Sequence, residues 1–537
     1  MGREMRWWGW GEPAHRGAPP PQALAWLEGA LGPLGDAPSR PVSLEEVRLG
    51  EPVLPMALRD RLVAAVGAGA VRDDRAARVL HAAGKGYPDL VRQRAGDCEA
   101  APDAVVFPAA HDEVRAVLEA CAEAGVAVVP FGGGTSVVGG VEPLRGPFGA
   151  VVSLDLGRLD ALEGLDERSQ TAIVQAGARG PELEQRLADR GFTLGHFPQS
   201  FEYVSIGGCV ATRSAGQAST GYGRIDDLVL GVRCAAPAGD LDLPARPAGA
   251  AGPELRELVV GSEGCLGVIT SAALRVHPAP AERRYEGFMF PSFAMGAEAL
   301  RLMEQQGVAP DVARLSDEHE TRMSFALAGE GRLKGEIARR YLRRRHVEGG
   351  CLAIAGWEGD ADRVQARRKA GAAVLGACGG VGLGRGPGRV WSAGRFQGPY
   401  LRDDLLDRGV MVETVETAAQ WSELFTLYRA VGDALREHAP LVLCHISHLY
   451  PSGASLYFTF LARQDRQAPI DQWRRAKAAA CDAIVAAGGT ITHHHGVGRD
   501  HAPWMPAEVG TTGVAALRAL KAELDPRGIM NPGKLLP

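Results

Sequence analysis

Pro130-Phe-Gly-Gly-Gly-Thr-Ser-Val-Val-Gly-Gly140 follows directly on the apolar run Val126-Ala-Val-Val. A short apolar run bounded by glycine reads as a buried strand, so the loop begins where a strand ends. Consecutive glycines carry no Cβ, so backbone N–H groups can converge on one point. Such a nest suits phosphate, and Thr135 and Ser136 add hydroxyl donors. The spacing is neither GxGxxG entering a helix nor GxxxxGK[ST], which excludes a Rossmann or P-loop reading. Taken alone, the segment reads better as a plain tight turn.

Working outward, Ala104-Val-Val-Phe-Pro is a short strand, and His111 to Ala124 is a helix with Val114, Val117, Leu118 and Cys121 at helical spacing. With Val126-Ala-Val-Val-Pro this makes a strand–helix–strand unit, hence α/β or α+β. Strands follow at Ala150-Val-Val-Ser-Leu and Thr171 to Ala176, then a helix from Pro181 to Arg190 with proline at its first position. A second glycine segment is Pro198-Gln-Ser-Phe-Glu-Tyr-Val-Ser-Ile-Gly-Gly, continuing to Thr212-Arg-Ser-Ala-Gly. A third, Gly261-Ser-Glu-Gly-Cys-Leu-Gly, enters the strands Gly267-Val-Ile-Thr and Ala273-Leu-Arg-Val. Three such segments in order inside one block are far more specific than any one of them. Beyond His277-Pro-Ala-Pro the glycine loops thin out. Strands (Tyr285–Phe290, Leu352–Trp357, Leu456–Leu461) then alternate with amphipathic helices (Phe293–Gln306, Asp360–Leu375, Trp421–His438). The tail holds a helix from Cys481, a histidine run and a helix near Val514 to Glu523.

Composition narrows the function classes. Lys+Arg 59 against Asp+Glu 64 leaves a net charge of −5, with no basic excess to meet nucleic acid. The 46% hydrophobic content is that of a globular chain able to bury a large core. Nine cysteines, none at CxxC spacing, point to a reduced, cytoplasmic setting. Neither a secretory signal nor a run of about 18 apolar residues is present. The Ala/Gly/Arg-rich background suggests a GC-rich, bacterial genome. The cluster Trp7, Trp8 and Trp10 is expected to pack on the main body, and Ser43 to cap a short helix.

The three glycine segments resemble the flavin-binding domain of the vanillyl-alcohol oxidase/p-cresol methylhydroxylase superfamily. The resemblance implies an α+β fold with a two-subdomain FAD-binding domain, an α+β cap and a helical N-terminal extension. The expected divisions are 1–96 (extension), 97–279 (FAD domain), 280–480 (cap) and 481–537 (a segment returning to the active site). It implies FAD contacts from Pro130, Phe131, Gly132, Gly133, Gly134, Thr135 and Ser136. Further contacts are expected from Gln199, Ser200, Phe201, Glu202, Tyr203, Val204 and Ser205, and from Thr212, Arg213, Ser214 and Ala215. Glu263, Gly264, Cys265, Leu266, Gly267, Val268 and Ile269 complete the set. The first loop holds no His or Cys from Phe131 to Ser136, so FAD is expected to be noncovalent.

Further motifs are similar to the alkyldihydroxyacetonephosphate synthase family: Arg6-Trp-Trp-Gly-Trp-Gly, Tyr222-Gly-Arg-Ile-Asp-Asp, Ala313-Arg-Leu-Ser-Asp, Tyr400-Leu-Arg-Asp, Gly453-Ala-Ser-Leu-Tyr-Phe and Thr492-His-His-His-Gly-Val-Gly. The resemblance implies exchange of the acyl chain of acyl-dihydroxyacetone phosphate for a fatty alcohol, through a flavin N5 adduct without net redox change. Arg402 would bind the substrate phosphate through its guanidinium fork. Arg314 matches an arginine needed for activity. Tyr457 would move a proton or polarise the ketone, and His493, His494 and His495 would shuttle protons near neutral pH. On an extended strand those three rings alternate faces, so at most one or two are expected to touch substrate. No carboxylate or Cys stands at ligand spacing to the histidines, so no metal is expected. Gln199 departs from the family, which usually has Asp there. The expected partner is a small lipid substrate, with peripheral membrane association and a homodimer both compatible with it. The alternative is an FAD-linked 2-hydroxyacid dehydrogenase of the same superfamily, but its metal-binding HxGDGNxH-type signature is absent from His445-Ile-Ser-His-Leu-Tyr-Pro-Ser-Gly.

Overall fold

A computed structural model of the chain describes residues 5–12, 14, 18–34, 40–328 and 340–537. Residue 17 and residues 35–39 of the Pro/Gly-rich stretch 17–41 lie outside the described residues.

The strand–helix–strand unit forms as its apolar pattern requires. Ala104–Val106, Val151–Asp155 and Ala127–Phe131 pair in parallel, and Val71–Arg72 adds an antiparallel edge. The helix His111–Ala124 turns its Val114, Val117, Leu118 and Cys121 inward and ends on Gly125, whose φ of 64° supplies a left-handed cap. An antiparallel five-stranded sheet follows, in the order Leu162–Asp166, Thr171–Gln175, Val268–Arg275, Val229–Ala236, Gly239–Leu243. The two pieces read between Gly267 and Val276 are one strand, Val268–Arg275, irregular between Ile269 and Ser271. One apolar core joins both sheets.

The second half is built on an antiparallel sheet. Its path is Val381–Gly384, Glu282–Phe290, Cys351–Gly359, Val312–Ser316, Leu441–Ile446, Gly453–Arg463, Val410–Gln420, with Leu449–Tyr450 pairing to Gly453–Arg463. Helices Phe293–Gln305, Ala361–Ala377, Leu424–Arg436 and Pro469–Ala486 cover one face, around Phe290, Trp357, Phe458 and Phe460. Leu27 and Leu31 of the helix Pro21–Leu31 pack on the other face, against Val412, Leu441, Leu443 and Leu461. The tail helix therefore begins at Pro469, not Cys481, with proline at its first position, where an N–H would find no acceptor within the helix.

The tryptophan cluster packs on the body. Trp10 is buried, its backbone N–H donates to Asp403 at 2.6 Å, Arg6 pairs with the same carboxylate at 2.7 Å, and Arg6 lies over Trp8. Ser43 caps only a 3₁₀ turn, Leu44–Glu46. All nine cysteines are unpaired, and no described helix is long and apolar enough to cross a membrane.

Candidate active site

One face of the large sheet carries a polar row. Registration sets Glu416 opposite Tyr457, Tyr457 opposite His445, and His445 opposite Ser316. Directly paired residues share a face, so four strands present these side chains side by side. The His445 ring stacks on Tyr457, with centroids 4.8 Å apart and planes 18° apart. Behind it, His445 Nδ1 lies 3.0 Å from Glu320, and Arg314 pairs with the same carboxylate. Burial pushes the Glu320 carboxyl up, but His445 and Arg314 outweigh it and bring it down to about 2. Burial, aided by Arg314, holds His445 below its ordinary range against the pull of Glu320.

The histidine run closes over this row. It is a bent loop, not an extended strand, and the reason is Glu416. That carboxylate accepts from the backbone N–H groups of His493, His494 (3.2 Å) and His495 (2.9 Å) and from Thr492 Oγ1 (2.6 Å). Three consecutive N–H groups aimed at one acceptor cannot alternate, so all three rings gather on one side. Their centroids are 5.1 and 4.7 Å apart, and His494 and His495 lie 5.9 and 5.5 Å from Tyr457. The expectation that alternation would turn at least one ring away is corrected by this contact. His493 Nδ1 and His494 Nδ1 stand 2.9 Å apart, and His493 Nε2 meets the Tyr450 hydroxyl at 2.6 Å. Burial drives all three imidazoles below their ordinary range, with Glu416 opposing. His448 joins them, its Nδ1 2.6 Å from Ser219 Oγ. His448, His493 and His494 bring one ring nitrogen each within 4.8 Å of one another, near enough to hold a metal ion.

The glycine segments meet beside the loop. A Cβ on Gly132 would run into Ser205 Oγ, and one on Gly133 into the Tyr203 carbonyl, so the first and second segments lie face to face. Among the described residues none accepts a hydrogen bond from the N–H groups of Gly133, Gly134, Thr135 or Ser136. Half-buried donors in series without protein acceptors suit a bound diphosphate. Glu263 of the third segment accepts from Val497 and Gly498 at 2.6 and 2.7 Å, so it fastens the histidine loop to this cradle. Burial pushes its carboxyl up to about 7 against those two donors. Asn531 of the tail donates to the carbonyls of Glu263 (2.7 Å) and Gly140 (3.1 Å).

The remaining expected residues are placed as follows. Gln199 approaches Gly398, Phe201 stacks on Phe396, and Glu202 accepts from the Tyr400 hydroxyl at 2.5 Å, all toward 396–400. Arg213 pairs with Asp226 and Glu257. The Cys265 thiol turns to the tail carbonyls of Asn531 and Lys534, and Val268 and Ile269 enter the core. Arg402 is buried, with Nη2 2.9 Å from Glu413 and Nη1 3.1 Å from the Lys85 carbonyl, and its charge is felt at Tyr457. Sequence reasoning missed Glu416, His445, Glu320 and His448. A carboxylate inside the apolar strand Val410–Gln420 was the available signal for the first.

Residues 102–242 match a model described as FAD binding domain, and residues 279–535 one described as FAD linked oxidases, C-terminal domain. The alkyldihydroxyacetonephosphate synthase of Dictyostelium discoideum is 36% identical, covering 87% of this chain and 78% of its own. That of Trypanosoma brucei brucei is 33% identical over 99% of this chain and 92% of its own. The chain belongs to the alkyldihydroxyacetonephosphate synthase family. A solved alkyldihydroxyacetonephosphate synthase superposes with a TM-score of 0.85 at 32% identity, covering 98% of each chain. The α+β fold is thus the family's, and the chain binds FAD, whose diphosphate the donor cradle fits. Oxidoreductases lie further off: a glycolate oxidase subunit of Bacillus subtilis is 27% identical, covering 81% of this chain and 89% of its own. The 2-hydroxyacid dehydrogenase alternative is not favoured.

Proposed function

We propose that the protein exchanges the acyl chain of acyl-dihydroxyacetone phosphate for a fatty alcohol, the ether-forming step of alkyl lipid synthesis. The observation that carries the reading is an apolar cavity that reaches Arg314, the residue that braces the imidazole–phenol cluster. A space of about 1310 Å³ is lined by Leu342, Leu352, Ile354, Leu401 and Trp391, and also by Arg314, which reaches His445 through Glu320. Each methylene buried there contributes about 0.8 kcal/mol, so a long chain is bound by length alone while its polar head meets the cluster.

Bound FAD supplies an electron-rich ring able to act as a nucleophile beside the substrate. We assign its contacts to residues 130–136, 199–205, 212–215 and 263–269, held noncovalently. Residues 1–96 then form the N-terminal extension, 97–279 the FAD domain, 280–480 the cap, and 481–537 the segment that returns to the active site. The chain's own groups handle protons. The neutral rings of His494 and His495 take the proton from the carbon next to the ketone and later from the entering alcohol, while the Tyr457 hydroxyl, kept protonated by burial, polarises the ketone by donating to it. Arg402 keeps N–H groups beyond those given to Glu413 and Lys85, and these bind the phosphate. Arg314 holds Glu320 and His445 in place beneath Tyr457.

Association with a membrane surface, from the cytoplasm, suits the cavity mouth. There Phe325, Tyr341 and Val390 are 41%, 41% and 59% exposed, beside the exposed Arg343, Arg344 and Arg345. The test is incubation of the FAD-loaded protein with palmitoyl-dihydroxyacetone phosphate and labelled hexadecanol. Labelled ether with release of palmitate is expected, and its absence at saturating lipid overturns the reading.

A further inference from the structure

We propose that Glu416 is a positioning residue: its carboxylate folds the loop so that His493, His494 and His495 all face the Tyr457 cluster, and it supplies the negative charge they share. This rests on the acyl-to-alkyl exchange proposed above and adds to it a residue on a different strand, outside every recognised motif.

The position is unusual for its chemistry. Glu416 sits inside the strand Val410–Gln420 and is 1% exposed. A buried carboxylate is retained only where donors or charges satisfy it. No Arg or Lys pairs with Glu416 among the described residues. Its partners are the three consecutive N–H groups, the Thr492 hydroxyl, and the imidazoles of His494 and His495 with Nδ1 3.6 Å away. All six contacts belong to one tetrapeptide, so the side chain reads as a template for that loop. An apolar or shorter residue leaves three parallel N–H groups aimed at nothing, and the loop then relaxes toward the extended form in which neighbouring rings diverge.

The electrostatics agree. Arg224 bears on His493 and His494, and Lys477 and His501 on His495. The rings also disfavour one another's protonation, and Tyr457 faces Glu416 from the neighbouring strand. Against burial and these cations, Glu416 is the charge that raises all three imidazoles. Although burial pushes its own carboxyl up, His494, His495, His493 and the Thr492 hydroxyl hold it well below the ordinary carboxylate range, so it is ionised throughout the working range.

The experiment compares wild type, Glu416→Gln and Glu416→Asp as FAD-loaded enzymes. Turnover is followed against pH, and the histidine ring nitrogens are titrated by selective ¹⁵N NMR without substrate. Glu416→Gln is expected to keep bound FAD while kcat falls about ten- to a hundredfold. The acid limb of its pH profile, and the titration of rings 493–495, should move to lower pH by about one unit or more, because the opposing charge is gone. Glu416→Asp keeps the charge but shortens the reach. Its pH limb should stay near wild type while kcat remains depressed. A lower kcat in Glu416→Gln with pH limb and ring titrations unmoved makes the residue merely structural and overturns the proposal. Should Glu416→Gln lose FAD, Glu416→Asp decides: wild-type kcat there overturns the template role. If wild type makes no ether product, the exchange reading fails, and the ring titration alone then upholds or removes Glu416.

Discussion

Replacing Glu320 by Gln removes the carboxylate that Arg314 and His445 share, with little change of volume. In the folded protein that carboxyl lies at about 2, against an ordinary 4.5, because the two partners outweigh burial. The drop of about 2.5 pH units, at about 1.36 kcal/mol each, corresponds to about 3 kcal/mol of folding free energy. A buried pair broken on one side also leaves its cation unpaired, which acts in the same direction. The sign follows from the lowered value. A carboxyl depressed on folding contributes fully above pH 4.5, and the contribution fades as pH falls toward 2. Urea unfolding followed by flavin release and far-UV CD should therefore place Glu320→Gln about 2–3 kcal/mol below wild type at pH 7, with the gap narrowing steadily below pH 4.5. Turnover should drop as well, since the amide offers one acceptor oxygen where Arg314 and His445 each used their own, so the alignment of His445 under Tyr457 is lost. Equal stability at pH 7, or a gap as large at pH 3 as at pH 7, refutes the pairing argument.

The cradle makes Gly133→Ala a sensitive test of FAD binding. Its Cβ would strike the Tyr203 carbonyl, so the loop must move, and the flavin-to-protein ratio after gel filtration should fall at least about tenfold while the fold persists. Tyr457→Phe keeps the ring stacked on His445 and removes only the hydroxyl, so FAD content should hold and kcat should fall by about 10²–10⁴. Arg402→Lys keeps the charge beside Glu413 but offers fewer directed N–H groups. KM for the phosphate substrate should rise about ten- to a hundredfold, and an unchanged KM would release Arg402 from that role. Exhaustive chelation should leave turnover intact. Loss of activity on chelation, restored by zinc, would instead assign the His448, His493 and His494 cluster to a metal.

The fold was legible where local signals agree with tertiary ones. The helix His111–Ala124 has its apolar stripe, acidic first turn and Gly125 cap all in sequence, and it forms at those bounds. Arg385–Gly394 shows the opposite case. Gly386, Pro387 and Gly388 read as loop, yet the segment is helical because it lies tight on the strand Glu282–Phe290, where a Cβ at Gly388 would strike Tyr285. Contact with a distant strand overrides propensity there, and no window of sequence contains it. The site divides the same way. Tyr457 and the histidine run stand in contiguous motifs, so they could be picked out one by one. Their company could not: Glu416, Tyr457 and His445 are neighbours through strand pairing in the order 416, 457, 445, which inverts chain order at the last step. Register of that kind is set by the whole sheet.

That company explains why a site rich in carboxylates need not use one as its base. Glu320 is committed to Arg314 and His445, Glu413 to Arg402, Trp473 and the Tyr87 N–H, and Glu416 to three N–H groups and a hydroxyl. Glu320 and Glu416 lie low and stay ionised, so they hold partners and do not exchange protons. The imidazoles are displaced downward too, by burial, which leaves them neutral near pH 7, each able to accept a proton. His493 Nδ1 and His494 Nδ1, 2.9 Å apart, can bond only with a proton between them. An acyl-to-alkyl exchange takes a proton from carbon and another from the alcohol, returns one to carbon, and releases the other with the departing fatty acid. A neutral ring pair with one proton between its Nδ1 atoms beside Tyr457, braced by carboxylates that stay ionised, fits that traffic better than a lone acid or base.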